Sequence, residues 1–165
     1  MKGIFMILTS NAFAEGEWIP KKHTARGENI SPALHIEDIP ADTTSLMITL
    51  DDASHPLFPN YNHWVIWNIP VCSDIPESIP KGATVSELSG ALQGMAYGKH
   101  CYKGPKPPFR TIHNYTFTVY ALNSFIDLPA SSVKTDVLKQ AAKLIVGTAA
   151  LTGKFQSRRK ETDQA

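Results

Sequence analysis

Between residues 70 and 113 the chain cannot carry a long helix or a long strand. Pro70, Pro76, Pro80, Pro105, Pro107 and Pro108 interrupt it, and Gly90, Gly94, Gly98 and Gly104 fall between them. Each proline removes a backbone donor and crowds the preceding turn, and each glycine weakens helix and strand alike. Residues 24–44, with Gly27, Pro32 and Pro40, read as loop and turn for the same reason. What remains is a set of short runs at 5–10, 45–52, 64–69 and 114–122. They are rich in β-branched, aromatic and aliphatic residues and are bounded by turn formers, which is the pattern of strands. Helical spacing occurs once, over 130–146, where Val137, Leu138, Ala141, Leu144 and Ile145 share a face. Ser131, Ser132 or Thr135 can cap its start, Asp136 suits its first turn and Gly147 can end it. Residues 148–155 can return as a strand. The expectation is a mainly β chain with one late helix packed on a sheet or sandwich.

A length of 165 residues fits one domain. The formal charge is +1, from 16 basic and 15 acidic residues, which gives no basic excess for gripping nucleic acid. The basic knot Arg158, Arg159 and Lys160 lies in a polar tail, 157–165, read as a solvated terminus. No apolar run reaches the roughly 20 residues that span a bilayer. The apolar run at 3–8 is shorter than the core of a signal peptide, about 7–15 residues, so a first strand and a cytoplasmic protein are expected. Export is the alternative, with the first 14 residues as a signal, because Ala12-Phe13-Ala14 is like a cleavage site. Cys72 and Cys101 have no metal-ligand spacing; they read as two thiols, with a bridge between loops as the alternative.

The stretch DDASHPLFPNYNHW, 51–64, holds the chemistry. Side chains alternate along a strand, so Asp52 ends the face of Leu46, Ile48 and Leu50, and Asp51 ends that of Met47 and Thr49. A paired-carboxylate acid–base device is therefore not expected. His63 continues the face of Val65, Trp67 and Ile69, and His113 that of Tyr115, Phe117 and Val119. Polar groups thus stand at the ends of three apolar strand faces. They would meet around one cavity mouth if the strands share a sheet. Trp64, Trp67, Phe117 and Tyr120 read as core, and His23, His35 and His100 as loop or surface residues.

Beyond these single features, IP-x9-NISPAL-x6-IP, LDDASHP, HWVIWNIP and YGKHCYKGPKPPFRTIHNYTFTVYAL follow one another in the chain. Together they resemble the phosphatidylethanolamine-binding protein family, in its bacterial, Raf-kinase-inhibitor-like branch. The resemblance implies a single domain over 1–156, a Greek-key β-sandwich with a C-terminal helix near the pocket-bearing sheet, and a small pocket for phosphate-like anions or phospholipid headgroups. By motif, it implies that Asp52, His63, Gly104, Pro107, Pro108, His113 and Tyr115 bind the ligand, with Arg110, His55 and Pro56 at the rim. This sequence departs from the pattern at Ser54, where an Asp is usual, at Asn114, where an Arg is usual, and at Arg110, where a Gly is common.

The expected function is binding of a small anion or headgroup without catalysis, metal or cofactor. Regulation of a kinase or protease through the pocket rim is a further expectation. The rival is a metal-dependent or acid–base hydrolase using Asp52, His63 and His113, since two histidines and a carboxylate can bind zinc or iron. A serine nucleophile at Ser31, Ser45 or Ser54 lacks the GxSxG elbow.

Overall fold

The computed structural model describes residues 5–158. Its centre is a six-stranded sheet in the order β6-β7-β4-β3-β8-β9. Its members are β3 (Ser45–Asp52), β4 (Tyr61–Pro70), β6 (Thr84–Val85), β7 (Ala91–Gln93), β8 (His113–Leu122) and β9 (Ile145–Phe155). A three-stranded sheet, β1 (Ile7–Thr9), β2 (Leu34–Glu37) and β5 (Asp74–Ile75), has the order β1-β2-β5. All named strand pairs are antiparallel.

The two sheets form a sandwich. Leu8, Leu34, Ile36 and Ile75 of the small sheet share one buried cluster with Leu46, Ile48, Leu50, Trp64, Ile66, Phe117 and Val119 of the large one. The other face of the large sheet carries Met47, Val65, Trp67 and Leu122, and α1 (Lys134–Ala141) covers it with Val137 and Ala141. Burial of each large apolar side chain contributes about 1.5–3 kcal/mol, so this two-sided burial is what fixes β3 and β4 at the centre. Among the described residues, no helix is long and apolar enough to cross a membrane.

The central strands match the sequence pattern, and the flanks need correction. The loop expected at 24–44 contains β2, whose Leu34 and Ile36 are buried while Glu37 is exposed. The 70–113 stretch holds β5, β6 and β7, each only two or three residues long. The helix is half the length expected. It has Val133 as N-cap with no capping side chain, and it ends at Ala141. Ile145 instead pairs with Leu122, because β8 would otherwise present an unpaired edge. Gly147 lies in this last strand rather than ending the helix. A Cβ there would come 2.8 Å from Met6 Sδ and 3.0 Å from Pro40 Cγ.

The N-terminal segment belongs to the fold. Ile7, Leu8 and Thr9 pair with Glu37, Ile36 and His35. Phe13 is buried and packs 6.2 Å from the Phe117 ring. Of the basic knot, Arg158 lies over the Phe109 ring and donates its backbone N–H to Phe109. Arg159 and Lys160 lie outside the described residues. Cys72 and Cys101 are both free and half-buried, so no bridge joins them.

Candidate functional site

The register of the central strands gathers the polar strand ends. Asp52, the last residue of β3, pairs with Tyr115 near the start of β8 and with Tyr61 at the start of β4. Simple alternation would leave His63 on the helix-covered face with Val65 and Trp67. A bulge prevents this. Leu50 pairs with Trp64 and Asp51 with Asn62, so His63 is an extra residue in β4. A bulge bends its strand and re-aims a side chain. The His63 ring stands edge-on to Tyr115, 5.4 Å between centroids, on the Asp52 side. Asn62 stabilises the bulge by donating Nδ2–H to the carbonyls of Leu50 and Trp64.

The adjacent acids separate as the alternation requires. Asp51 faces the helix, where Lys134 Nζ lies 2.9 Å from Oδ2 and Asn62 Nδ2 lies 3.1 Å from Oδ1. Asp52 turns to the opposite side, toward His113 and Ser54. Its Oδ2 accepts from His113 Nδ1 at 2.7 Å, and its Oδ1 accepts the Ser54 backbone N–H at 2.9 Å. Asp52 and His113 are both buried, 4% and 7% exposed, so the pair is shielded from water screening.

His63 is held differently. Its Nδ1 donates to the Lys103 carbonyl at 2.9 Å, which fixes the ring orientation. Its Nε2 faces the Tyr97 hydroxyl at 3.3 Å. Burial holds its pKa below the ordinary 6.5; the carbonyls of Lys103 and Gly104 and the charge of Asp52 oppose this without overcoming it. The free protein therefore favours neutral His63, with Nε2 accepting from Tyr97. Burial, with Asp52 adding to it, pushes the Tyr115 hydroxyl well above its ordinary value, so it stays protonated. The Tyr97 hydroxyl is pushed up to about 12 by burial, with smaller contributions from Tyr61 and Asp52.

The loop wall explains its own composition. A Cβ at Gly104 would lie 2.3 Å from the His23 carbonyl oxygen and 2.7 Å from Thr24 Cα, so the chain passes there only with glycine. Gly104 N–H donates to Asn29 Oδ1 at 2.7 Å. Pro107 is buried and Pro108 exposed. At the rim, the His55 ring stacks on Tyr61 at 4.9 Å, and its Nδ1 accepts the backbone N–H groups of Leu57 and Phe58. Pro56 and Arg110 are exposed. The two departures Ser54 and Asn114 are neighbours: Asn114 N–H donates to Ser54 Oγ at 2.9 Å. A neutral bond thus joins positions where the family pattern would place two charges.

Several residues were not legible as functional in the sequence. Tyr97 caps His63 from a left-handed backbone, φ 52°. Gln93, fully buried, donates Nε2–H to the carbonyls of Pro80, Gly82 and His100 and accepts from Trp64 Nε1. His23, expected in a loop or at the surface, is fully buried and bonds the Ile30 carbonyl. Among the described residues, no three His, Cys, Asp or Glu side chains form a metal-holding group.

The phosphatidylethanolamine-binding protein family model matches residues 9–156. The chain belongs to this family. It is 35% identical over 153 residues to a UPF0098 protein of Pyrococcus abyssi, covering 92% of this chain and 85% of that one. It is 36% identical over 125 residues to the UPF0098 protein YbhB of Escherichia coli, covering 72% and 78%. Among solved structures, a phosphatidylethanolamine-binding protein homologue from Chlamydia trachomatis superposes with TM-score 0.80 at 32% identity, covering 93% of this chain and 99% of that one. E. coli YbcL, described as a member of the mammalian family, gives TM-score 0.81 at 27% identity, with 92% and 98% covered. Family membership supports a ligand-binding protein of this fold.

Proposed function

We propose that this protein binds a small phosphate-like anion, free or as a phospholipid headgroup, among Asp52, His63, His113 and Tyr115. The observation that carries the reading is the buried Asp52–His113 hydrogen bond beside a fixed His63 ring. Asp52 orients His113 by accepting from Nδ1, which leaves Nε2 to face the ligand. His63 Nε2 accepts from Tyr97 in the free protein and becomes a donor by taking up a proton when an anion arrives. The protonated Tyr115 hydroxyl supplies another donor.

Binding fits this cluster better than hydrolysis. Ser54 Oγ is engaged by Asn114 N–H, and the buried Ser31 Oγ accepts from Ile79 N–H, so neither is presented as a nucleophile. Regulation of a kinase or protease is a second reading. It is favoured by exposed apolar side chains on the two loops flanking the site, Leu57 and Phe58 on one and Phe109 and Ile112 on the other. Pull-down with and without competing phosphate addresses it.

Isothermal titration with phosphate and phosphoethanolamine tests the main reading. Wild type binds both, and Asp52→Ala and His63→Ala weaken binding about tenfold or more, the usual scale for a lost charge-assisted bond. Equal binding by both variants removes the site.

A further inference from the structure

A second cleft, of about 530 Å³, lies behind Tyr97 and is lined by Lys81, Lys99, Lys103, His100, Cys101 and Tyr102 among others. Its volume suits a small-molecule ligand. Its charge is one-sided. Among the described residues, no ion pair joins Lys81, Lys99, Lys103 or the neighbouring Lys106 to a carboxylate. Lysines on a protein surface ordinarily stand among acids, and like charges gathered on one wall repel. That repulsion is visible at Lys103, whose pKa is held down by burial first and then by Lys106 and Lys99. Its ammonium has an aromatic ring for company instead of an acid, 3.5 Å from the Tyr97 centroid.

The frame of the cleft is rigid. The buried Gln93 amide ties together the carbonyls of Pro80, Gly82 and His100, and His100 Nδ1 donates back to the Gln93 carbonyl at 2.7 Å. Gly82 N–H donates to the His100 carbonyl at 2.9 Å. The segments that carry Lys81 and Lys99 are therefore fixed relative to each other before any ligand arrives. A fixed backbone spacing of the lysine-bearing segments favours an anion long enough to reach both.

We propose that this lysine-lined cleft is a second anion site, separate from the one around His63, which takes a small organic phosphate bearing more than one negative group. Three lining cations exceed what a single phosphate monoanion needs. Tyr97, which is 42% exposed and lines the same cleft, suits the organic part of such a ligand. Tyr97 is the partition between the sites: its hydroxyl meets His63, and its ring carries Lys103.

Inorganic pyrophosphate is the probe, titrated into the full chain at physiological salt. Wild type takes up two equivalents. The variant Lys81→Ala/Lys99→Ala, which alters only exposed side chains, takes up one, and so does His63→Ala. Cys101 lines the cleft and gives a second readout. Pyrophosphate slows its alkylation by iodoacetamide severalfold in wild type but not in the double-lysine variant. Cys72, whose thiol is pushed up by burial and by Asp74, is the internal control. If wild type takes up one equivalent that only the lysine variant loses, this cleft stands and the His63 reading falls. Unchanged uptake by the lysine variant, or Cys101 alkylation indifferent to pyrophosphate, overturns the inference.

Discussion

Ligand affinity should rise as pH falls, and His63 sets where. In the free protein burial holds this ring below its ordinary pKa of 6.5, and Nε2 accepts from Tyr97. A bound anion beside Nε2 favours the protonated ring, so binding takes up a proton between the free and bound pKa values. Each pKa unit corresponds to about 1.4 kcal/mol, so affinity changes by up to about tenfold per pH unit in that window. Because the free value is depressed, the steep region extends to more acidic pH than an ordinary histidine would give. A phosphomonoester titrates near pH 6 itself and would confound the result, so the ligand should be a diester such as glycerophosphoethanolamine. Titration calorimetry in two buffers of different ionisation enthalpy reads proton uptake directly. The expected result is proton uptake that peaks between the free and bound pKa values of His63 and a flattened profile in His63→Gln. Affinity independent of pH from 8 to 5, with no proton uptake, would refute the reasoning. The same shift has a consequence for stability. A histidine with a depressed folded pKa contributes stability that is intact above its unfolded value, near 6.5, and is lost as pH falls below it, so the unliganded protein weakens while the liganded one is protected.

Three other substitutions separate parts of the account. Gln93→Met keeps the side-chain volume but removes four hydrogen bonds at a fully buried position, so urea denaturation should show a loss of about 3–4 kcal/mol, at about 1 kcal/mol per bond; a loss below about 1 kcal/mol contradicts the role given to this residue. Gly104→Ala forces a Cβ against the His23 carbonyl and should cost about 1–3 kcal/mol by the same assay, together with weaker ligand binding; unchanged stability would mean the loop yields freely. Tyr97→Phe frees His63 Nε2 from a competing hydroxyl and should tighten anion binding about two- to tenfold, the scale of one hydrogen bond; weaker binding would mean that Tyr97 itself holds the ligand.

The sequence carried the centre of this fold and lost its margins for physical reasons. Strand 45–52 announces itself because both of its faces are buried, and strand 114–122 because buried and more exposed side chains alternate along it. β2 and β5–β7 are two to four residues long, too short for any period to register, and they exist because neighbouring strands offer them edges. The helix was overextended because Leu144 and Ile145 fit a helical face as well as a strand; pairing of Ile145 with Leu122 decided it. At the site, Asp52, His113 and Tyr115 follow from strand alternation plus register. His63 does not, since a bulge turned it away from the face its neighbours occupy. Tyr97 and Gln93 were invisible because their partners lie 34 and 29 residues away in sequence.

The most direct test of the central claim is a crystal of the protein grown with glycerophosphoethanolamine. The account predicts a phosphate oxygen within hydrogen-bond reach of His63 Nε2 and Tyr115, with the Tyr97 hydroxyl displaced from His63 and the Asp52–His113 bond intact. A phosphate bound elsewhere at full occupancy, with Tyr97 still seated on His63, would contradict it.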